Sequence, residues 1–137
     1  ERHNQKLQAR YREIEKKEVL CEEYLLDDAE IVLVAYGVVA RIARAAVDQA
    51  RETGVPAGLI RPITLWPFPS SQISRAAEQF RLFLTVEMSS GQMLQDVQLA
   101  VAGKAPVLFY GRMGGGVPTV DELLGKIRDL TLQKQQT

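Results

Sequence analysis

The sequence predicts an α/β fold: a largely parallel sheet with helices on both faces. Apolar runs of strand length recur along the chain, each is followed by apolar residues at helical spacing, and glycine, proline or serine stands at the junctions. Strands alternating with helices at this interval require right-handed crossovers that lay the helices over the sheet. At 137 residues, 46% apolar and 25% charged, the chain has the size and balance of one globular domain with its own core.

Taken in order, the first stretch, "ERHNQKLQARYREIEKKE", is highly charged, with only Leu7, Tyr11 and Ile14 at helical spacing. Such a helix has little of its own to bury. It is expected to form an arm over residues 1–18, either solvated or lying on something outside this chain, with the domain proper over 19–137. The start at Glu1 reads as a piece excised from a longer protein. The segment "EVLCEEYLLDD" fits either the close of that helix or an edge strand. "EIVLVAY" reads as a fully buried strand, followed by a helix with Val39, Ile42, Ala43, Ala46, Val47 and Ala50 on one face and stopped by Gly54. "VPAGLIRPI" is the next strand, with Ser70 capping a helix whose face holds Ile73, Ala76, Ala77 and Phe80. "RLFLTVE" follows, with Ser89 or Ser90 as cap and Met93, Leu94, Val97 and Val101 as helix face. Last comes "PVLFYG", then a capping box of Thr119 and Glu122 ahead of the stripe Leu123, Leu124, Ile127 and Leu130.

Composition removes several chemistries. A formal net charge of zero with no basic face lacks the electrostatic footprint of a nucleic-acid binder. The longest apolar run, "IVLVAYGVVA", is ten residues and contains a glycine, too short to span a bilayer. No stretch reads as a secretory signal. Cys21 and His3 are the only residues of their kinds, so disulfides, zinc sites and protein-ligated iron–sulfur clusters lack ligands. A nucleophilic Cys/His pair is disfavoured because the carboxylates in "VLCEEY" oppose a thiolate at Cys21. A lone cysteine fits a reducing, cytoplasmic setting.

Open α/β sheets bind ligands beyond the carboxyl ends of their strands. Four such ends are legible here: Tyr36 and Gly37, Arg61 to Pro69, Glu87 to Gln92, and Gly111 to Gly116. The first has one glycine in "YGVVARIA", not the GxGxxG of a dinucleotide site. In the second, Trp66 and Phe68 read as loop anchors, stiffened by Pro62, Pro67 and Pro69. In the third, Glu87 sits beside a helix start where serine hydroxyls and unpaired N–H groups hold anions. Glu87, Ser89, Gln92 and Arg61 are the candidate binding or interface residues; the plainer alternative has Glu87 satisfied by its own helix and Arg61 pairing with it. In the fourth, Gly111 and Gly116 have the spacing of the phosphate-binding GxxxxGK[ST] loop, but Val117 and Pro118 stand where lysine and hydroxyl belong. Gly114, Gly115 and Gly116 permit positive φ and close backbone approach, and Arg112 is the loop's one charge, free to grip an oxyanion or to pair with a local acid such as Glu87.

The succession "EEYLLDDAEIVLVAYG", "GLIRPITLWPFP", "FLTVEMSSGQM" and "FYGRMGGGVPT" resembles the C-terminal part of the α subunit of 2-oxoacid:ferredoxin oxidoreductases, most closely the 2-oxoglutarate type, over nearly the whole chain. The resemblance implies a transketolase C-terminal-like domain, a three-layer α/β/α sandwich whose five-stranded, mostly parallel sheet has order 1-3-2-4-5 with strand 1 antiparallel. It implies an edge strand before residue 30.

It further implies a holoenzyme that decarboxylates a 2-oxoacid, transfers the acyl group to coenzyme A and reduces ferredoxin through an iron–sulfur cluster. In that family thiamine diphosphate and Mg2+ lie between the pyrimidine-binding domain of the α subunit and the β subunit, which also holds [4Fe–4S] ligands. This chain has no cluster cysteines, GDG…N motif or catalytic histidine, so no catalytic or metal residue and no cofactor is assigned to it. It is expected to be a structural and assembly domain, a fragment inactive alone. Its expected partners are the rest of the α subunit, the β subunit, γ or δ subunits and, through the oligomeric holoenzyme, ferredoxin, with neither nucleic acid nor membrane. Arg112, Gly114, Gly115 and Gly116 become the candidate coenzyme A or interface contact. The alternative is a self-contained anion- or small-molecule-binding module.

Overall fold

The computed structural model describes residues 1–79 and 81–136. In chain order the elements are α1 (Arg2–Lys17), β1 (Cys21–Tyr24), β2 (Ile31–Val34), α2 (Gly37–Glu52), β3 (Ala57–Pro62), α3 (Ser70–Ala77), β4 (Leu82–Glu87), α4 (Gln92–Val101), β5 (Val107–Gly111) and α5 (Val120–Gln135). The five strands form one sheet in the order β1-β3-β2-β4-β5; β1 runs antiparallel to β3 and every other pairing is parallel. The segment left open between helix and strand is therefore the edge strand β1.

β2 lies in the middle, and all four of its residues are buried. Alternation along the strand divides them: Ile31 and Leu33 join one core with Val39, Ala43, Val47, Leu123 and Ile127 of α2 and α5, while Val32 and Val34 join a second core with Ile73, Met93 and Val97 of α3 and α4. Helices thus cover both faces. The expected helix faces hold, with Ile42 and Leu130 packed at the margin of the first core as partly buried residues. Leu94 is likewise half-buried, and Phe80 lies outside the described residues.

Local chemistry sets most boundaries. α2 ends in a Schellman turn: Gly54, at φ +85°, donates to Arg51 O at 3.0 Å, and Val55 N donates to Ala50 O at 3.0 Å. α5 starts with the expected capping box, Glu122 N to Thr119 Oγ1 at 3.2 Å and Thr119 N to Glu122 Oε2 at 2.9 Å. The expected Ser70 cap is corrected: Ser70 is the first helical residue, Pro69 holds the N-cap position, and no side chain caps α3.

The turn between β1 and β2 folds over β3 and is gripped by Arg51 of α2, which donates to Leu25 O at 2.7 Å, to Asp28 Oδ1 at 2.7 Å and to Ala57 O at 2.6 Å. The Arg51 hydrogen bond holds the Asp28 carboxyl below its usual range. Gly58 lies directly beneath: a Cβ there would come 2.8 Å from Leu25 O and 2.9 Å from Leu26 Cδ2. Backbone that Arg51 holds down has nowhere to retreat. Gly58→Ala is expected to lower the urea midpoint by the equivalent of about 1–3 kcal/mol, the range of an overpacked core. Gly125→Ala, in α5 with nothing within 4 Å of the added carbon, should raise it by roughly 0.5–1 kcal/mol through helix propensity.

Candidate functional site at the strand ends

The chain leaves β2 towards β3 on one side and β4 towards β5 on the other, so the carboxyl ends of β2 and β4 flank the point where connections diverge. In open α/β sheets this is where ligands are received. Glu87, the last residue of β4, is completely buried there. Its Oε1 accepts from Met93 N at 2.8 Å and from Ser89 Oγ at 2.9 Å, and its Oε2 accepts from Leu94 N at 3.0 Å. Met93 and Leu94 are the second and third residues of α4, whose own N-cap is Gly91 at φ +109° with no capping side chain. The strand's last carboxylate therefore does the work expected of Ser89 or Ser90, reaching forward across the turn to the helix start. Ser89 instead donates to Glu87, and Gln92 stands exposed on the first turn. The positive end of α4 and two of its unpaired N–H groups are taken up inside the protein, so no phosphate is needed to satisfy them.

The second loop is held against the first. Arg112 N donates to Glu87 O at 3.1 Å, and a Cβ on Gly111 would fall 2.6 Å from Ser89 O and 2.3 Å from Phe109 Cζ. Glycine at 111 is thus what lets the two loops touch. Gly114 and Gly115 adopt φ +68° and +79° and face open space, while Gly116 stays out of the left-handed region and packs on the Arg112 side chain. Arg112 pairs with Glu122, Nη1 to Oε1 at 3.2 Å, and also donates to Val117 O at 3.3 Å; Glu87 is not its partner. The Thr119 N–H first, and Arg112 after it, hold the Glu122 carboxyl below its usual range. The capping box and the loop's one charge are a single exposed network.

Arg61 is not brought to Glu87. It faces Glu22 across the β1–β3 pairing, with Nη1 3.4 Å from Oε2. The resemblance implies the edge strand before residue 30 but not its register, which sets Glu22 opposite Arg61. In the proline-rich loop Phe68 packs against the second core, but Trp66 is 59% exposed behind a cis bond to Pro67. Trp66 meets Tyr11 of α1 edge to face, ring centres 6.1 Å apart, and a cleft of about 610 Å³ opens between the end of α1 and the loop, lined by Lys16, Val19, Trp66 and Gln72 among others. α1 buries no residue of its own. Ile63, Leu65, Trp66 and Met88 leave large apolar surface exposed around this end of the sheet.

Among the described residues no group of three or more His, Cys, Asp or Glu side chains could hold a metal ion. No helix among them is long and apolar enough to cross a membrane. Burial first, then Glu23 and Glu22, push the Cys21 thiol up to about 11.

Residues 29–123 match the family model of the pyruvate:ferredoxin oxidoreductase core domain II. The ketoisovalerate oxidoreductase subunit VorB of Methanothermobacter marburgensis is 49% identical over 95% of this chain and 37% of its own length. The 2-oxoglutarate synthase subunit KorA of the same organism is 45% identical over 74% of this chain and 27% of its own. The chain therefore spans about a third of the length of these curated relatives. Among solved structures, 2-oxoglutarate:ferredoxin oxidoreductase from Magnetococcus marinus, with 2-oxoglutarate, coenzyme A and succinyl-CoA bound, superposes with a TM-score of 0.71 at 18% identity, over 80% of this chain and 19% of that one. An inactive β4 tetramer of a split-gene transketolase gives 0.65 at 16% identity over 79% and 40%. At these identities the two structures speak for the fold alone.

Two measurements bear on the strand-end chemistry. Glu87→Ala removes a buried carboxylate that takes three hydrogen bonds and should cost roughly 2–4 kcal/mol, read as a fall in melting temperature on the order of 10 °C. Glu87→Gln, which keeps one acceptor, should lose about half as much. Cys21 should be alkylated by iodoacetamide at pH 8 roughly 100-fold more slowly than an ordinary thiol, with the rate still rising about tenfold per pH unit towards pH 10. A rate that levels off near pH 8.5 would place the thiol in its ordinary range.

Proposed function

The chain belongs to the pyruvate:ferredoxin oxidoreductase core domain II family, and from this we propose that it serves as a structural and assembly domain within a subunit of a 2-oxoacid:ferredoxin oxidoreductase. The match over residues 29–123 carries the reading, and the strand-end geometry supports it. Glu87 fills the anion position at α4, which counts against a self-contained anion-binding module at that turn. The exposed apolar residues Ile63, Leu65, Trp66 and Met88 at the same end are surface for neighbouring parts of the complex to cover. Residues 1–18 act as an arm towards the rest of the subunit and residues 19–137 as the domain.

The reaction assigned to the complete complex is oxidation of a 2-oxoacid to acyl-CoA and CO2 with reduction of ferredoxin, served by thiamine diphosphate, Mg2+, an iron–sulfur cluster and coenzyme A. The residues present here do not fit the first three: a single cysteine cannot ligate a cluster, and among the described residues no group of three or more His, Cys, Asp or Glu side chains could hold the Mg2+ of a bound diphosphate. For coenzyme A, the candidate contact is Arg112 beside the open Gly114–Gly115 turn. Motif by motif the chain resembles the 2-oxoglutarate type. The ketoisovalerate subunit nevertheless matches over 95% of the chain against 74% for the 2-oxoglutarate synthase subunit, so the two acids are to be compared side by side.

Reconstitution tests this. The chain alone, with thiamine diphosphate, Mg2+, coenzyme A and ferredoxin, should give no turnover with ketoisovalerate or 2-oxoglutarate; the complete complex should turn over one of them and lose that activity when this domain is deleted. Arg112→Ala in the complex should weaken coenzyme A binding or assembly by roughly 1–3 kcal/mol, as for a charge-assisted hydrogen bond. Its exposed pair with Glu122 is worth little to stability, so the chain's melting temperature should hardly move. Turnover by the chain alone, or an Arg112→Ala complex with wild-type affinity and assembly, would sink the respective claim.

A further inference from the structure

On the α2 face of the sheet, between α2 and the β1–β3 edge, lies a pocket of about 210 Å³ lined by Arg41, Arg44, Arg61, Glu22 and Tyr24 over a floor of Ala40 and Leu59. Three arginines and one glutamate thus line it. Arg41 and Arg44 are three apart on one helix, so their side chains share a face and lean towards its N-terminus. The Arg44 guanidinium carbon lies over the Tyr24 ring, 4.2 Å from its centre, and the Tyr24 hydroxyl donates to Asp48 at 2.6 Å outside the pocket lining. Arg61 enters from β3. Its Nη1 reaches Glu22 only at 3.4 Å, and its Nε is a buried donor with no hydrogen-bond partner. The long contact to Glu22 leaves the outer nitrogens of Arg61 weakly engaged, while its buried Nε is a costly unpaired donor that a small turn of the side chain towards a ligand would satisfy. The first turn of α2, which supplies Ala40 to the floor, has neither an acidic residue nor a side-chain cap, so its positive end adds to the same field.

We propose that this pocket binds the phosphate group of a small phosphate monoester. Three arginines against Glu22 and the neighbouring Asp48 leave the site net positive, which suits a phosphate near its second ionisation better than a singly charged carboxylate. The planar forks of Arg41, Arg44 and Arg61 suit an oxygen-rich tetrahedral anion. Its volume of about 210 Å³ has room for a phosphate and a few further atoms. This site lies apart from both the Glu87 turn and the Arg112 loop, and its chemistry is independent of which 2-oxoacid the family member handles.

The test titrates the chain at constant ionic strength with inorganic phosphate, glycerol phosphate and acetate, by calorimetry and by NMR of the arginine Nε–H resonances. Both phosphates should bind saturably, with acetate about tenfold weaker or worse, and the Arg44 and Arg61 Nε–H signals should shift in the wild-type protein. Arg61→Gln and Arg41→Gln should each weaken phosphate binding about tenfold, Arg61→Lys less, and Arg128→Gln on α5 not at all. Tighter binding of glycerol phosphate than of inorganic phosphate would identify an ester as the source; equal binding would leave free phosphate as ligand and overturn the monoester assignment. Acetate binding as tightly as phosphate, no saturable binding, or shifts confined to arginines elsewhere would overturn the pocket itself. Because the wild-type resonances decide this alone, a variant that fails to fold does not protect the proposal.

Discussion

β2 contributes four consecutive buried side chains, two to each side of the sheet. A strand in that position dictates the rest of the architecture. It must be apolar at every residue, it needs a hydrogen-bonded neighbour on each flank, and it needs a helix over each face to keep water out. β3 and β4 supply the flanks, α2 with α5 one face and α3 with α4 the other. Connections from β2 and β4 then have to part in opposite directions, which creates the crevice at their carboxyl ends. The site follows from the topology before any functional residue is considered.

What the protein does with that crevice sets it apart from an anion-binding α/β domain. Such domains leave the helix N-terminus open for a phosphate. Here a carboxylate from the preceding strand is buried against the same N–H groups, and the neighbouring loop closes down on the turn through Gly111. A buried carboxylate with three hydrogen bonds is a rigid part. It fixes the angle at which α4 leaves β4 and fixes the Arg112 loop beside it, while apolar side chains such as Trp66 and Leu65 remain outside. An end of the sheet that is satisfied within and apolar without suits the proposed role of a domain packed against other parts of a complex. That agrees with a family in which this domain is about a third of a longer subunit.

The charged groups divide by the same logic. Arg51 and Glu87 are used internally, one to hold the β1–β2 turn over Gly58 and the other to start α4. Arg112 with Glu122, and the arginines around Arg61, are exposed or half-exposed and loosely partnered, which is where recognition of another molecule costs the fold least.

Much of this was legible in the residues because it rests on local periodicity and on short-range chemistry. The run at β2, the stripes of α2, α4 and α5, the Gly54 stop and the Thr119–Glu122 box each involve residues within a turn or two of one another, so spacing alone states them. The four strand ends follow from the alternation of elements. Pairings across the chain are another matter. Glu87 reaches six and seven residues forward, past two serines of better capping type, because a buried carboxylate at a strand end takes the helix dipole that a hydroxyl on an exposed turn cannot hold as well. Arg61 meets Glu22, thirty-nine residues away, only because β1 turns back antiparallel along β3. The sequence by itself determined which segments are strands and helices and where their ends carry polar groups, since those are properties of neighbouring residues. Tertiary structure decided which polar groups meet, because sheet order and strand direction bring distant residues within hydrogen-bond reach and burial then selects the partner that leaves no charge unsatisfied.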